Sequence, residues 1–278
     1  MSVFSDGAYV STYKQTGVWS KRVAWIAFAL YAISIAYSIV SILAGSEPPH
    51  WMLISTTVLF FVFAVSHATA QLGVRSMLVF LGVSFIVSFA FETIGVLTGL
   101  IYGPYYYTDR LGPKLGVVPI LIPLAWFMMM YSSHVVVQAI AGEKARPSIF
   151  ASAWLSLLGA MAMTAWDLGM DPQMVARGHW VWTAGGAYFG IPVRNFAGWL
   201  ATTFSVFFLY RLYANTQPAR AWRLNSFALL PIATYALQGI VTIIPASVSD
   251  LRAPAMITFF AMGAFLFAAI TRLTAEDQ

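Results

Sequence analysis

Met163–Leu200, MTAWDLGMDPQMVARGHWVWTAGGAYFGIPVRNFAGWL, is the stretch on which the reading of this chain turns. Asp167 closes one apolar run and Asp171 follows four residues later, so on a helix the two carboxylates share a face. Trp180, Trp182, a Gly-rich turn and Asn195 then lead into the next apolar run. Long apolar segments on both sides make the stretch a link between two membrane-crossing helices. An ionised side chain in hydrocarbon is expensive, which marks acids at this place as candidates for function. The same residues admit a structural reading, in which Asp167 caps a helix end and Asp171-Pro172 starts a turn.

The rest of the composition agrees with a membrane setting. Of 278 residues, 60% are hydrophobic and 9% are charged, whereas a soluble domain carries about a quarter charged residues. This specifies an all-α, polytopic membrane bundle, a single integral-membrane domain over residues 1–278. With no cysteine in the chain, there is no disulfide framework, thiolate nucleophile or cysteine metal site. The net charge of +5 comes from few residues, most of them in loops, and implies no nucleic-acid partner. The first twenty residues are polar and mixed, so no cleavable signal peptide is expected.

Eight spans are expected, each long enough to cross roughly 30 Å of hydrocarbon. They are about Val23–Leu43, Trp51–Ala70, Met77–Leu100, Val117–Ala141, Ile149–Met170, Asn195–Tyr213, Ser226–Ile244 and Ala253–Leu273. Met1–Lys21 reads as a short tail, and Pro119 and Pro123 are expected to bend or loosen the start of the fourth span. Lys14, Lys21, Arg22, Arg75, Lys144, Arg146, Arg211, Arg220, Arg223 and Arg272 fall on one side. Arg110, Lys114, Arg177, Arg194 and Arg252 fall on the other. This bias places both termini in the cytoplasm of a cell-membrane protein, with the acids toward the outer leaflet.

Glu92 lies about eight residues from the outer end of its span, so roughly 12 Å deep. Gly95 and Gly99 follow on its face in a GxxxG pattern that lets another helix approach. Its carboxylate is expected to point into the bundle, either as a functional acid or as a structural hydrogen-bond partner. The segment Tyr102–Leu111, YGPYYYTDRL, contributes Tyr102, Tyr105, Tyr106 and Tyr107. These, with Trp180, Trp182 and Tyr188, fit an interfacial belt, yet they gather on the side where the acids lie, and aromatic faces stabilise cations. His67, His134 and His179 read as packed or hydrogen-bonded residues. No HExxH, paired His or Cys/His cluster is present, so no metal is expected, and TAGGAYFGIP matches no nucleotide-binding pattern.

The segments ETIGVLTGLIYGPYYYTDRLGPKLGVVPILIPLAWF and WDLGMDPQMVARGHWVWTAGGAYFGIPVRNFAGWL resemble the two signature regions of the CruF-type carotenoid biosynthesis proteins. They cover the core from about Glu92 to Leu200, while the first two and last two spans match only in hydropathy. The resemblance implies hydration of the terminal 1,2 (1′,2′) double bond of an acyclic ψ end group, on a C40 carotenoid of γ-carotene or lycopene type or a C50 carotenoid of bisanhydrobacterioruberin type. It implies a tertiary alcohol product, no cofactor, a carotenoid and the lipid bilayer as partners, and a neighbouring desaturase or glycosyltransferase in the same biosynthesis.

Such a hydro-lyase needs a proton delivered to C2, a tertiary cation at C1 and capture by water, work for one buried acid and one base. The expected roles are Asp167 as proton donor and Glu92 or Asp171 as holder of the water. Tyr102, Tyr105, Tyr107, Trp166, Trp180, Trp182 and Tyr188 would bind substrate or face the cation, and Asn195 would orient water or a carboxylate. A carotenoid cyclase on the same end group, an intramembrane prenyltransferase suggested by the DxxxD of Asp167 and Asp171, and a non-catalytic carotenoid-binding or transport protein are the alternatives. The prenyltransferase lacks the second Asp-rich motif that would hold a metal-bound diphosphate.

Overall fold

The computed structural model describes residues 6–142, 147–217 and 225–276. Eight helices lie within them: α1 Asp6–Leu43, α2 Trp51–Leu72, α3 Val74–Thr98, α4 Leu121–Ala141, α5 Ile149–Ala176, α6 Val193–Ala214, α7 Leu230–Ser247 and α8 Arg252–Glu276. Seven are long and apolar enough to cross a membrane. Helix α6 has the length but not the apolarity, because Arg194, Asn195, Thr202, Thr203 and Arg211 interrupt it, and all of these except Arg194 are buried. Lys144, Arg146, Arg220 and Arg223, used above to orient the chain, lie outside the described residues, as does the side chain of Lys14.

Two short ribbons join the helices at one end. Strand β1 (Tyr105–Tyr107) pairs antiparallel with β4 (Trp180–Trp182), and β2 (Lys114–Leu115) with β3 (Val118–Pro119). This ribbon end also holds the last turns of α1, α3, α5 and α7 and the first turns of α2, α4 and α6. At the far end Trp25 meets Phe227, 6.4 Å between ring centroids, and Phe80 stacks on Tyr210 at 4.2 Å. Helix α4 is central: every residue from Trp126 to Val137 is buried, as expected of a helix that is apolar all round. Phe127, Met129, Met130 and Tyr131 fill the core with Phe207 of α6 and Met163 of α5. His67 is a packed residue, its ring between the Tyr131 hydroxyl (2.7 Å) and the Phe227 carbonyl (2.7 Å).

Several local expectations are corrected. The supposed N-terminal tail is helical from Asp6. Helices α2 and α3 are separated only by Gly73, whose φ of 82° breaks the helix. Helix α4 starts at Leu121, so Pro119 precedes it and Pro123 sits in its first turn, where the missing N–H would have had no intrahelical acceptor. Neither proline therefore interrupts the hydrogen-bond ladder of the helix. Gly95 and Gly99 do not receive a helix: the Tyr102 ring lies against Gly95, 2.6 Å from where a Cβ would stand, and Gly99 is a left-handed cap facing Pro104.

The largest correction concerns α5. It does not end near Met170 but runs through Asp171 and Pro172 to Ala176, which removes both the cap reading of Asp167 and the turn reading of Asp171-Pro172. Pro172 has no N–H to give to the carbonyl four residues back, Leu168. The Tyr188 hydroxyl supplies that missing donor, at 2.7 Å from Leu168 O.

Candidate functional site

Strand alternation builds the site. Tyr105 and Tyr107 project from one face of β1 and are buried, whereas Tyr106 between them is half exposed. Trp180 and Trp182 project from the same face of β4, opposite Tyr107 and Tyr105 respectively. The ribbon therefore turns four aromatic rings toward the bundle, with Tyr105 and Trp182 4.8 Å apart and Tyr107 edge-on to Trp180 at 5.9 Å. Thr108 Oγ1 extends the pairing by donating to Gly178 O at 2.8 Å.

Each strand is clasped to a different carboxylate. Glu92 of α3 accepts from Tyr105 (2.5 Å) and Tyr107 (2.8 Å) on Oε2, and from Trp126 Nε1 (3.0 Å) on Oε1. Asp171 of α5 accepts from Trp180 Nε1 (2.6 Å) on Oδ1, with Trp182 Nε1 farther off at 3.4 Å. Burial first, and then the Glu92 charge, hold the Tyr105 and Tyr107 phenols well above their ordinary range, so both remain donors.

The two aspartates share one amide. Asn195 Nδ2, in the first turn of α6, donates to Asp167 Oδ2 and to Asp171 Oδ2, both at 2.9 Å. Asp167, wholly buried, keeps Oδ1 without a partner, and the indole N–H of Trp166 is likewise unpaired. Trp126 stacks on Trp199 at 4.2 Å, and Trp166 meets Trp199 edge-on at 6.1 Å. Tyr102 is wedged between Gly95 and Gly198 and bonded to Thr202 Oγ1 at 2.8 Å, closing the α3–α6 side.

All three carboxylates lie on the wall of one cavity of about 840 Å³ at the ribbon end, within the usual range of roughly 300–1,000 Å³ for ligand sites. Tyr102, Tyr105, Tyr107, Trp166, Trp180, Trp182 and Asn195 line it too. Of the residues expected at the site, Tyr188 is the exception: it stands outside the cavity and serves the Pro172 break instead. The cavity continues past His179 and exposed His50, whose rings stack at 5.7 Å, to Glu47, Arg110 and Arg177 at its polar mouth. Burial first, then His50, Arg177 and Arg110, lower the His179 pKa to about 4.

Reading the sequence missed Trp126 and Trp199, although both stand in the signature blocks, where an eye for acids and strand aromatics passes over helix-borne indoles. It also missed the flanks supplied by α1, α2 and α7. Their lining residues, such as Ile35, Met52 and Val241, carry no signal that separates them from ordinary core.

Fold and site together define a polytopic membrane protein with a buried acid cluster at the mouth of an apolar bundle. Residues 49–265 match the family described as "Carotenoid biosynthesis protein", and the chain belongs to that family. It is 36% identical over 115 residues to a bisanhydrobacterioruberin hydratase of Haloarcula japonica. That match takes in 41% of this chain and 37% of the relative's length. No solved structure matches the chain.

Proposed function

We propose that this protein is a cofactor-independent carotenoid hydratase, which adds water across the terminal 1,2 double bond of an acyclic ψ end group. The observation that carries the reading is the Asp167–Asn195–Asp171 bridge on the wall of an aromatic-lined cavity. The hydratase named in the comparison acts, by its name, on bisanhydrobacterioruberin, which favours a C50 substrate over a C40 one of lycopene or γ-carotene type.

Asp167 gives its proton from Oδ1, the oxygen with no hydrogen bond, to C2, leaving a tertiary cation at C1. Indole and phenol faces of Trp180, Trp182, Trp166 and Tyr105 stabilise that cation. Water adds to C1 and passes a proton to Asp171, so the net change is one water gained and a tertiary alcohol formed. The proton then returns from Asp171 to Asp167, across the short gap that Asn195 spans, and the pair is reset. Glu92, with both oxygens engaged by three donors, clasps the ribbon. The ribbon end faces outward from the cell membrane, and a desaturase or glycosyltransferase acts next to it in the same biosynthesis.

The test is the mass of pigments formed in hosts that make lycopene and γ-carotene or bisanhydrobacterioruberin, with and without this chain. A gain of one water with an unchanged chromophore supports hydration; an isomer of unchanged mass means cyclisation instead. Asp167→Asn and Asp171→Asn are each expected to lower the rate by about 10²–10⁴-fold, the usual worth of general acid–base catalysis. Full activity in both would remove the pair from the mechanism.

A further inference from the structure

A long hydrocarbon could approach the carboxylates along the bundle axis, through the polar mouth or between helices, and the residues around the cavity set these routes apart. Toward the far end the bundle is solid: Phe127, Met129, Met130, Tyr131, Met163 and Phe207 are fully buried and leave no axial path. The mouth is rimmed by Glu47, His50, Arg110, Arg177 and His179, whose desolvation by a polyene would be costly. The α3–α6 side is closed by Tyr102, held by Thr202 between two glycines.

Between α1 and α7 the arrangement differs. At the far end Trp25 of α1 packs against Phe227, in the turn that leads into α7. In their ribbon-end halves the cavity lies between them, lined by Ile35, Ser38 and Ile42 of α1 and by Val241, Pro245 and Ala246 of α7. Helix α1 is also the least embedded of the seven apolar spans, with Ile33, Tyr37 and Val40 more than half exposed.

We infer that an extended all-trans polyene enters laterally from the lipid between the ribbon-end halves of α1 and α7, with its end group reaching the Asp167–Asp171 pair and the rest of the chain projecting into the bilayer. This deepens the proposed function and rests on it. A C40 or C50 chain is comparable in length to the roughly 30 Å hydrocarbon core, whereas the cavity occupies only the ribbon half of the bundle, so part of the molecule stays outside. Hydrocarbon and water thereby reach the acids by separate routes, the polyene from the side and water through the polar mouth.

The absence of cysteine makes the test direct. Single cysteines are placed at Ser38 and Val241, on the portal, and at Val40, on the lipid face of the same helix, and are alkylated with pyrene maleimide. With carotenoid at about ten times its Kd, the site is free for about a tenth of the time. Labelling of Ser38→Cys and Val241→Cys should therefore slow about tenfold, with Val40→Cys unchanged. Protein already labelled at Ser38→Cys should no longer load pigment, read by absorbance, whereas protein labelled at Val40→Cys should load normally. Equal labelling rates at all three positions, or normal loading of the blocked portal, would overturn the inference, as would failure of the unlabelled variants to load at all. Loading without any hydrate formed would sink the hydratase reading and leave the portal standing.

Discussion

Replacing Glu92 separates a clasp from a proton carrier. The carboxylate is 4% exposed and takes three hydrogen bonds, from Tyr105, Tyr107 and Trp126. Glu92→Ala leaves three buried donors without their acceptor, at about 1–3 kcal/mol each, or about 3–9 kcal/mol in all. In a membrane the lower end applies, because the unfolded chain also finds partners there. Even so, the loss is large beside a total stability of about 5–15 kcal/mol. Glu92→Gln behaves differently. Trp126 N–H can only donate, so the amide oxygen must face it and the amide N–H₂ must face the phenols, whose oxygens can turn to accept. Every partner keeps one hydrogen bond, but the two phenol O–H groups lose the oxygen they donated to, so the cost is smaller than that of Glu92→Ala, about 2–6 kcal/mol with the lower end again applying. The assay is unfolding by SDS in mixed micelles, with Tyr107→Phe added to complete a double-mutant cycle, alongside hydration rates. The expectation is a folded, active Glu92→Gln and an unstable, inactive Glu92→Ala. A folded Glu92→Gln with no hydration at all would refute the clasp and return Glu92 to the proton-transfer chemistry.

Two further outcomes follow from single contacts. Tyr188→Phe should cost about 1–3 kcal/mol by stranding Leu168 O, and Pro172→Ala, which restores the helix N–H, should erase most of that cost in the double variant; equal costs in both backgrounds would show that the hydroxyl does not replace the missing donor. His179 is neutral in both folded and unfolded chains above its ordinary 6.5, but between 6.5 and about 4 only the unfolded chain takes up a proton. Stability should therefore decline as pH falls through that window and level off below it, and His179→Gln should flatten the decline; an identical slope in the variant would place the acid sensitivity elsewhere.

Much of the architecture was legible because it is local. Apolar runs of bilayer length set seven of the eight described helices, and the alternation of direction between successive spans was enough to put Glu92, Asp167, Asp171 and both aromatic loops at one end. The i, i+4 spacing put the two aspartates on one face, and the folded helix keeps them there because α5 continues through Pro172. The proline misled the reading, since its missing hydrogen bond is made good by a tyrosine sixteen positions later in the chain, beyond any local signal.

What the tertiary structure alone decided are contacts between residues far apart in sequence. Tyr105 pairs with Trp182 across a ribbon, Asn195 reaches back to two aspartates on another helix, and Tyr102 closes a seam between Gly95 and Gly198. Hydropathy and helical period say which residues leave water and how they repeat along an axis. They do not say which oxygen of a buried carboxylate meets which donor. That depends on helix rotation and on distances of tenths of an ångström, and those are fixed only when all the helices pack together.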